Sequence, residues 1–508
     1  MTIKATDRRS LWWGARNHSP DQATAGSALP ASAQTVIVGA GLAGLCTAVE
    51  LARRGRPPLV IEARRAGAGT TGHSSAKVSL LQGSMLQRLR RHASVETTAA
   101  YVAANRAGQQ WLVELLEQRG MPFERRLALT YAVSAEGAEQ VAAEREASRE
   151  VGLQVTDVGD ADLPFPVLDA IGLDDQVQVD PLTVIEALTA ELTALGGTLV
   201  EGVRVTGASF ARPWTVQTEA GEVRADHVVL ATQAPILDRV LDFARMRAQR
   251  SYVLAFAVDD LSAVPRSMSL SLDDPTRSLR TASTATGDFL LVGGNGHEVG
   301  HGGSTAARVN EIEAWARSHF PVGPAAWSWA AQDYHLTTQV PHIGAVPGTD
   351  ESLFVATGFD KWGMALSGAA AQLIAGDLIG TPPEYADPLR ENSFRLEDLS
   401  ATAGFLAGVG AQWVGDRAAR LKPTGSEGPP AEGEGRVEGT PTHPTAVSTV
   451  DGRTCAVSAV CSHLGGVVSW NDAERSWDCP LHGSRFRADG SLIEGPATKG
   501  LADRPDPE

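Results

Sequence analysis

Two groups of residues in this 508-residue chain have the types and spacing to do redox chemistry. Near the C-terminus, Cys461-Ser462-His463 and Cys479-Pro480-Leu481-His482 form a CxH and a CxxH, separated by fifteen residues and followed by Gly483-Ser484. Two thiolates on one iron and two neutral imidazoles on the other satisfy a [2Fe-2S] cluster, and the imidazoles remove negative charge and so raise its reduction potential. Zinc takes the same ligand types, so Cys461, His463, Cys479 and His482 are metal ligands on either reading.

The second group lies near the N-terminus. Val36-Ile37-Val38-Gly39-Ala40-Gly41-Leu42-Ala43-Gly44 is a GxGxxG between an expected strand and an expected helix, and Glu62 ends the next strand 18 residues after Gly44. In this context each residue has a physical task. Gly39 makes the tight turn, Gly41 lets backbone approach a pyrophosphate, Gly44 permits close helix packing and Glu62 accepts from ribose hydroxyls. Leu42, Ala43, Ala63 and Arg64 are expected beside them, and Val203 and Val205 at the end of a later strand. The fingerprint alone does not separate FAD from NAD.

Further segments resemble the D-amino-acid-oxidase and glycine-oxidase-like flavoproteins: Gly67-Ala68-Gly69-Thr70-Thr71-Gly72-His73-Ser74-Ser75-Ala76-Lys77 after the second strand, Ala231-Thr232, and Ala356-Thr357-Gly358-Phe359 near the end of the domain. The resemblance implies FAD, with Thr70, Thr71, His73, Ser74, Ala231, Thr232, Gly358, Lys361, Trp362, Gly363 and Met364 as contacts. Related amine dehydrogenases carry a flavin-linked histidine at the position of His73, so covalent attachment and simple hydrogen bonding both stand open there. The superfamily's acidic or amino-acid substrates are held over the flavin by cations and phenols, which makes Tyr252, Arg280, Tyr334, His335 and Lys361 the candidate catalytic residues.

The cysteine-histidine loops, with Gly483-Ser484 and the later Gly495-Pro496, resemble Rieske domains. Respiratory-type members have disulfide-forming cysteines where this chain has Gly466 and Leu481, and a tyrosine donor where it has Phe486, while Ser484 retains its hydroxyl. Fewer donors to the cluster imply a potential below the respiratory type. Over nearly its whole length the chain is similar to bacterial glycine-oxidase-like flavoproteins with a C-terminal Rieske domain, which share its segments from Ala356 to Met364 and Trp470-Asn471-Asp472.

The elements that must position these groups are legible in outline. Thr35–Val38 reads as a buried strand, Leu45–Arg54 as a helix and Leu59–Glu62 as the returning parallel strand. Met85–Arg119 and Pro181–Leu195 have helical periodicity, while Thr198–Val205, Trp214–Thr218 and Val228–Thr232 read as strands. Short β-rich runs between residues 234 and 329 form a second sheet, then Leu353–Thr357 and the helix Met364–Ile379 close the first domain.

The expected fold class is α/β: a discontinuous Rossmann-like FAD-binding domain with an inserted α+β substrate domain, plus a small all-β Rieske domain at the C-terminus. The FAD-binding parts are expected at about 35–85, 160–235 and 340–380, and the substrate domain at about 86–159 and 236–339, all within 35–420. Residues 421–443, rich in Pro, Gly, Glu and Thr, read as a linker to the Rieske domain at 444–508. Arg8 and Arg9 loosely imitate an export signal but lack an apolar h-region, and residues 1–34 read as a disordered arm.

A formal net charge of -16 argues against nucleic acid or anionic membrane as partner. No apolar run reaches 18 residues, so no integral membrane segment is expected. The four cysteines are too few for a disulfide framework, which fits a reducing cytoplasm, and Cys46 and Cys455 read as small buried hydrophobes.

A two-electron flavin beside a one-electron cluster points to a dehydrogenase of a small amine, amino acid or related polar molecule, passing electrons to an external protein or quinone. Two other readings stay open. In one the flow is reversed, the Rieske domain taking electrons from an external donor and feeding them to the flavin for oxygen activation; in the other both groups serve as a redox sensor without turnover.

Overall fold

The computed structural model describes residues 8–23, 28–209, 212–237, 245–393 and 428–503. Its first sheet grows from the apolar run that precedes the glycine-rich turn. Ser32–Val38 pairs in parallel with Leu59–Ile61 on one side and Gly221–Leu230 on the other, placing Val36 opposite both Leu59 and Val228. Thr198–Val200 extends one edge, Leu353–Thr357 and His342–Ala345 extend the other, and the hairpin Val205–Ala208/Trp214–Thr218 completes eight strands. Strands buried on both faces need no polar alternation. Ile37, Val60, Val229 and Phe354 meet the helices Leu42–Arg53 and Gly363–Ile379, while Val36, Val38, Leu59 and Val228 meet Trp214 and Val216 of the hairpin.

The second sheet has nine strands, running from Trp327–Leu336 through Met246–Ala257, Gly287–Glu298, Arg277–Thr284, Met268–Ser271, Glu124–Ala132 and Asp169–Gln178 to Lys77–Val78, with Thr156–Asp157 paired beside Asp169–Gln178. The last two strands of that path were expected in the FAD-binding parts. They belong to the second sheet because Lys77–Val78 pairs antiparallel with Asp169–Gln178, and partner choice across a hundred residues leaves no trace in local periodicity. The run expected as one strand over Thr198–Val205 is broken into Thr198–Val200 and Val205–Ala208.

The arm read as disordered is ordered from Arg8 to Ala23, and this is a correction. Leu11–Ala15 forms a short helix capped by Ser10, and Leu11, Trp12 and Trp13 are buried against Val253, Ala255, Leu291 and Trp329 of the second sheet. Trp12 donates its indole N–H to the carbonyl of Ser74 at 2.8 Å. Five residues are too few for an autonomous helix. The burial of two indoles, not helix propensity, holds it in place.

The C-terminal unit is all β, with a three-stranded sheet over Gly435–Thr440, His443–Val450 and Arg453–Ser458 and a four-stranded sheet over Ser469–Asn471, Ser476–Asp478, Arg485–Arg487 and Leu492–Glu494. Part of the expected linker is therefore strand: Gly435–Thr440 pairs with His443–Val450, and Glu438, buried, answers Arg436 at 2.9 Å. The turn-forming composition marked a hairpin instead of a flexible link. Residues 421–427 of that linker lie outside the described residues.

The unit docks on the second sheet through Asp472, which caps the helix Thr305–His319 of the other domain by accepting from the N–H groups of Thr305 (2.8 Å) and Ala306 (2.9 Å) and the hydroxyl of Ser304 (2.7 Å). A carboxylate at a helix N-terminus satisfies orphan donors and complements the helix dipole. No helix among the described residues is long and apolar enough to cross a membrane.

Candidate functional site

The glycine-rich turn opens into a deep cavity. Gly39 has φ +102°, and a Cβ there would lie 2.7 Å from the carbonyl oxygen of Ala231. A Cβ on Gly44 would sit 2.0 Å from the carbonyl oxygen of Gly39, so the helix can approach the turn only with glycine at this position. Gly41 caps Leu42–Arg53 without a side-chain bond, which leaves a helix N-terminus facing the cavity. This is an anion cradle. Glu62 is fixed by accepting from the N–H groups of Ala40 (2.8 Å) and Arg64 (2.9 Å), its oxygens keeping further lone pairs for hydroxyls.

Gly39, Gly41, Leu42, Ala43, Glu62, Ala63, Arg64, Val205, Thr70, Thr71, Ser74, Ala231, Thr232, Lys361, Gly363 and Met364 all line this cavity. Five expected contacts are not on the wall. Gly44 acts through packing. Val203 donates its N–H to the carbonyl of Glu62, Gly358 turns the chain at φ +74° against Leu336, and Trp362 precedes the helix Gly363–Ile379. His73 lies behind the wall with Nδ1 2.8 Å from the carbonyl of Gly69, and burial pushes its imidazole down to about 4.

Of the candidate catalytic residues, only Tyr334 and Lys361 line the cavity. Arg280 is corrected to a structural role: one guanidinium nitrogen donates to the carbonyls of Ser75 (2.6 Å), Ala76 (3.0 Å) and Val179 (3.0 Å), and the group lies over the ring of Trp12. Tyr252 is buried beneath the helix Thr305–His319, its hydroxyl 3.0 Å from Nε2 of His297. His335 follows Tyr334 along a strand, so its side chain takes the opposite face and leaves the cavity.

Sequence reasoning missed Asp333. It sits on the wall between Gln332 and Tyr334, accepts from the N–H groups of Tyr334 (2.7 Å) and Lys361, and burial pushes its carboxyl up to about 6. Burial likewise lowers the Lys361 ammonium. Gln233, Arg204, Ile493, Glu494, Ala497 and Thr498 also line the cavity and carried no motif that marked them, and Gly495, noted only for its likeness to Rieske loops, lines it too.

The metal-ligand candidates converge on a second centre. Cys461 and His463 occupy the loop after Arg453–Ser458, and Cys479 and His482 the loop between Ser476–Asp478 and Arg485–Arg487. Both loops are tight turns, closed by the N–H of Gly465 on the Cys461 carbonyl (3.1 Å) and of Gly483 on the Cys479 carbonyl (2.9 Å). The imidazoles of His463 and His482 lie 5.2 Å apart, and both cysteines are buried and outside any disulfide.

The backbone N–H groups of His463 and Leu464 and the Ser484 hydroxyl lie around the Cys461 sulfur, and the N–H groups of Leu481 and His482 around the Cys479 sulfur. Backbone donors around thiolates fit an iron-sulfur cluster. No group of three or more His, Cys, Asp or Glu residues among the described residues is arranged for one metal ion, and two ligand pairs, each serving its own iron, do not require one.

The two centres touch. Tyr334 donates its hydroxyl to the backbone carbonyl of His482 at 2.9 Å, and Gln332 donates to the carbonyl of Gly483 at 2.8 Å. Gly483 has φ +73°, and a Cβ there would meet Ala248 at 2.6 Å. Behind them Arg250 donates to Gln332 at 2.6 Å and lies 3.6 Å from the carboxylate of Asp478, both groups fully buried.

Residues 34–376, two thirds of the chain, match the family model described as FAD dependent oxidoreductase, DAO. The chain belongs to the DAO family. Residues 431–505 match the Rieske [2Fe-2S] domain. The DAO domain implies FAD and the second domain a Rieske cluster, and the cradles above fit both. Across 92% of its own length and 92% of the relative's, this DAO protein is 28% identical to the Rieske 2Fe-2S iron-sulfur protein YhfW of Bacillus subtilis (strain 168).

Its fold is that of L-proline dehydrogenase from P. horikoshii (TM-score 0.60, 18% identity, 72% of this chain and 99% of the other) and of glycine oxidase from Geobacillus kaustophilus (TM-score 0.59, 18% identity, 70% and 96%). The expected α/β FAD-binding architecture with an all-β Rieske domain is thus borne out.

The DAO protein's Rieske loops are braced without a disulfide. Leu481 packs where a Cβ on Gly466 would fall, 2.8 Å away, and Phe486 is fully buried without a hydroxyl to donate. A cluster with one tuning donor fewer is expected to titrate below respiratory Rieske centres. A redox titration followed by EPR checks this, and a midpoint as oxidising as theirs would contradict it.

Proposed function

We propose that the protein oxidises a small amine, amino acid or related polar substrate at the flavin and delivers the electrons one at a time through the Rieske cluster to an external acceptor, a protein or a quinone. The observation that carries this reading is Tyr334, which lines the flavin cavity and donates to the carbonyl of the cluster ligand His482. FAD bound in the cavity supplies hydride acceptance, and the cluster single-electron transfer.

The chain's own groups favour a polar substrate. Lys361 donates its backbone N–H to Asp333, and both line the cavity with Gln332 and Tyr334. The Asp333 carboxyl, held near 6, is suited to taking a proton from a substrate ammonium or hydroxyl near neutral pH, and the Lys361 ammonium to holding an anionic substituent. Removing two electrons and two protons from an amine leaves an imine, which water hydrolyses.

The cluster's two imidazoles divide between its surroundings. His482 is buried against the oxidoreductase domain, while the His463 loop carries exposed Ser462 and Leu464. Electrons entering past His482 and leaving past His463 suit a soluble or membrane-surface acceptor.

The test is anaerobic reduction with a panel of amines and amino acids, following flavin bleaching optically and the reduced cluster by EPR. One compound that bleaches the flavin and then raises a Rieske signal supports the reading. Reduction only by an external donor, with stoichiometric oxygen use, would reverse the direction of flow. Tyr334→Phe removes a hydrogen bond worth about 1 kcal/mol, and cluster reduction is expected to lag flavin bleaching several-fold more than in the wild type. Stopped-flow comparison of the two signals measures the lag.

A further inference from the structure

The cavity that the dinucleotide turn opens is not walled by the oxidoreductase domain alone. Ile493, Glu494, Gly495, Ala497 and Thr498 of the Rieske domain also line it. A Glu494 carboxylate oxygen is 4.0 Å from where a Cβ on Gly69 would sit, and Gly495 faces Ile236.

Glu494 ties this segment down from both domains, accepting from Arg485 of its own sheet at 3.2 Å and lying 3.8 Å from the guanidinium of Arg64 on the cavity wall. Asp21 of the N-terminal segment bridges the same junction, pairing with Arg64 at 3.5 Å and with Arg487 of the Rieske domain.

The segment has a second face. Ala497 donates its N–H to the hydroxyl oxygen of Ser484 at 3.0 Å, and the Ser484 carbonyl accepts from the N–H of the cluster-ligand candidate Cys479 at 2.8 Å. One six-residue stretch is therefore a wall of both cofactor sites.

We infer that residues 493–498 of the Rieske domain form part of the FAD-binding site and close it, so that FAD is fully enclosed only while the two domains are docked. Glu494 is a positioning residue that holds Arg64 against the cavity, and Ile493 and Thr498 exclude water from the dinucleotide. FAD must load before the Rieske domain seats, and its release requires that domain to lift.

The test uses the full-length holoprotein and reads FAD itself, independent of any substrate, so its failure is distinct from failure of the proposed oxidation. Two variants are compared with wild type: Thr498→Trp, which fills the cavity from the Rieske side, and Asp472→Ala, which removes the interdomain cap far from the cavity wall. FAD release after dilution is followed by the rise in free-flavin fluorescence, and EPR of the dithionite-reduced cluster reports whether the Rieske domain is folded. Thr498→Trp is expected to lose FAD retention and Asp472→Ala to release FAD at least tenfold faster, both with the Rieske signal present. Wild-type FAD retention in Thr498→Trp, or wild-type release from Asp472→Ala, overturns the inference. If one variant loses its Rieske signal, the other decides.

Discussion

Gly44→Val is expected to leave the protein without FAD while its Rieske domain still assembles a cluster. The reason is a single distance. A Cβ at position 44 would stand 2.0 Å from the Gly39 carbonyl oxygen, far inside van der Waals contact and within the turn itself, and 3.3 Å from the methyl of Ala231, which follows the neighbouring strand Gly221–Leu230. Valine must push the helix Leu42–Arg53 off the sheet, which carries its N-terminal N–H groups away from where the pyrophosphate binds. Overpacking of this kind costs about 1–3 kcal/mol of stability.

The loss of a helix-terminus phosphate site should weaken FAD by a factor on the order of a hundred or more, since about 1.4 kcal/mol is tenfold. Gly41→Ala is the informative companion. A Cβ there meets nothing closer than the Thr71 hydroxyl at 3.5 Å, so the turn survives and the methyl group instead invades the cofactor's space. Bound flavin per chain should fall in both variants, and thermal stability only in Gly44→Val. A flavin-replete Gly44→Val protein would show that this cavity is not the FAD site.

Cys479→Ser should abolish the cluster and leave the flavin in place. The thiolate is the soft ligand that the cluster iron needs, and its sulfur lies among the N–H groups of Leu481 and His482, so a serine hydroxyl replaces neither the bond to iron nor the larger acceptor. Iron and acid-labile sulfide should drop to background and the EPR signal vanish, while substrate still bleaches the flavin if the proposed oxidation holds. Acceptor reduction should then fall by orders of magnitude. Persistence of bound metal without sulfide would identify zinc and remove the electron path.

The legible part of the site was local. Cys461 and His463 are two residues apart, Cys479 and His482 three, and the three glycines of the turn span six positions, so each motif is one tight loop whose geometry travels with its sequence. The candidate catalytic set fared differently. Arg280 and Tyr252 were plausible by side-chain type, yet one is consumed by three backbone carbonyls up to 205 residues away and the other by His297. Asp333 was passed over because nothing in its own segment announces burial beside Lys361. The Leu11-Trp12-Trp13 triplet was the one visible sign against disorder in the N-terminal segment, three large apolar residues in a polar stretch.

By itself the sequence determined which cofactors this protein holds and the kinds of element that hold them. A nucleotide turn needs glycines and N–H groups from consecutive residues, and a Rieske loop needs its ligands on the same short turn, so both are encoded at short range. Tertiary structure alone decided that Lys77–Val78 joins the second sheet, that Tyr334 reaches the His482 carbonyl, and that Ile493, Glu494, Gly495, Ala497 and Thr498 line the cavity beside the glycine-rich turn. Those outcomes depend on which distant strand a side chain meets and on which face it takes. A shift of one residue along a strand reverses the face, and no local pattern records the partner.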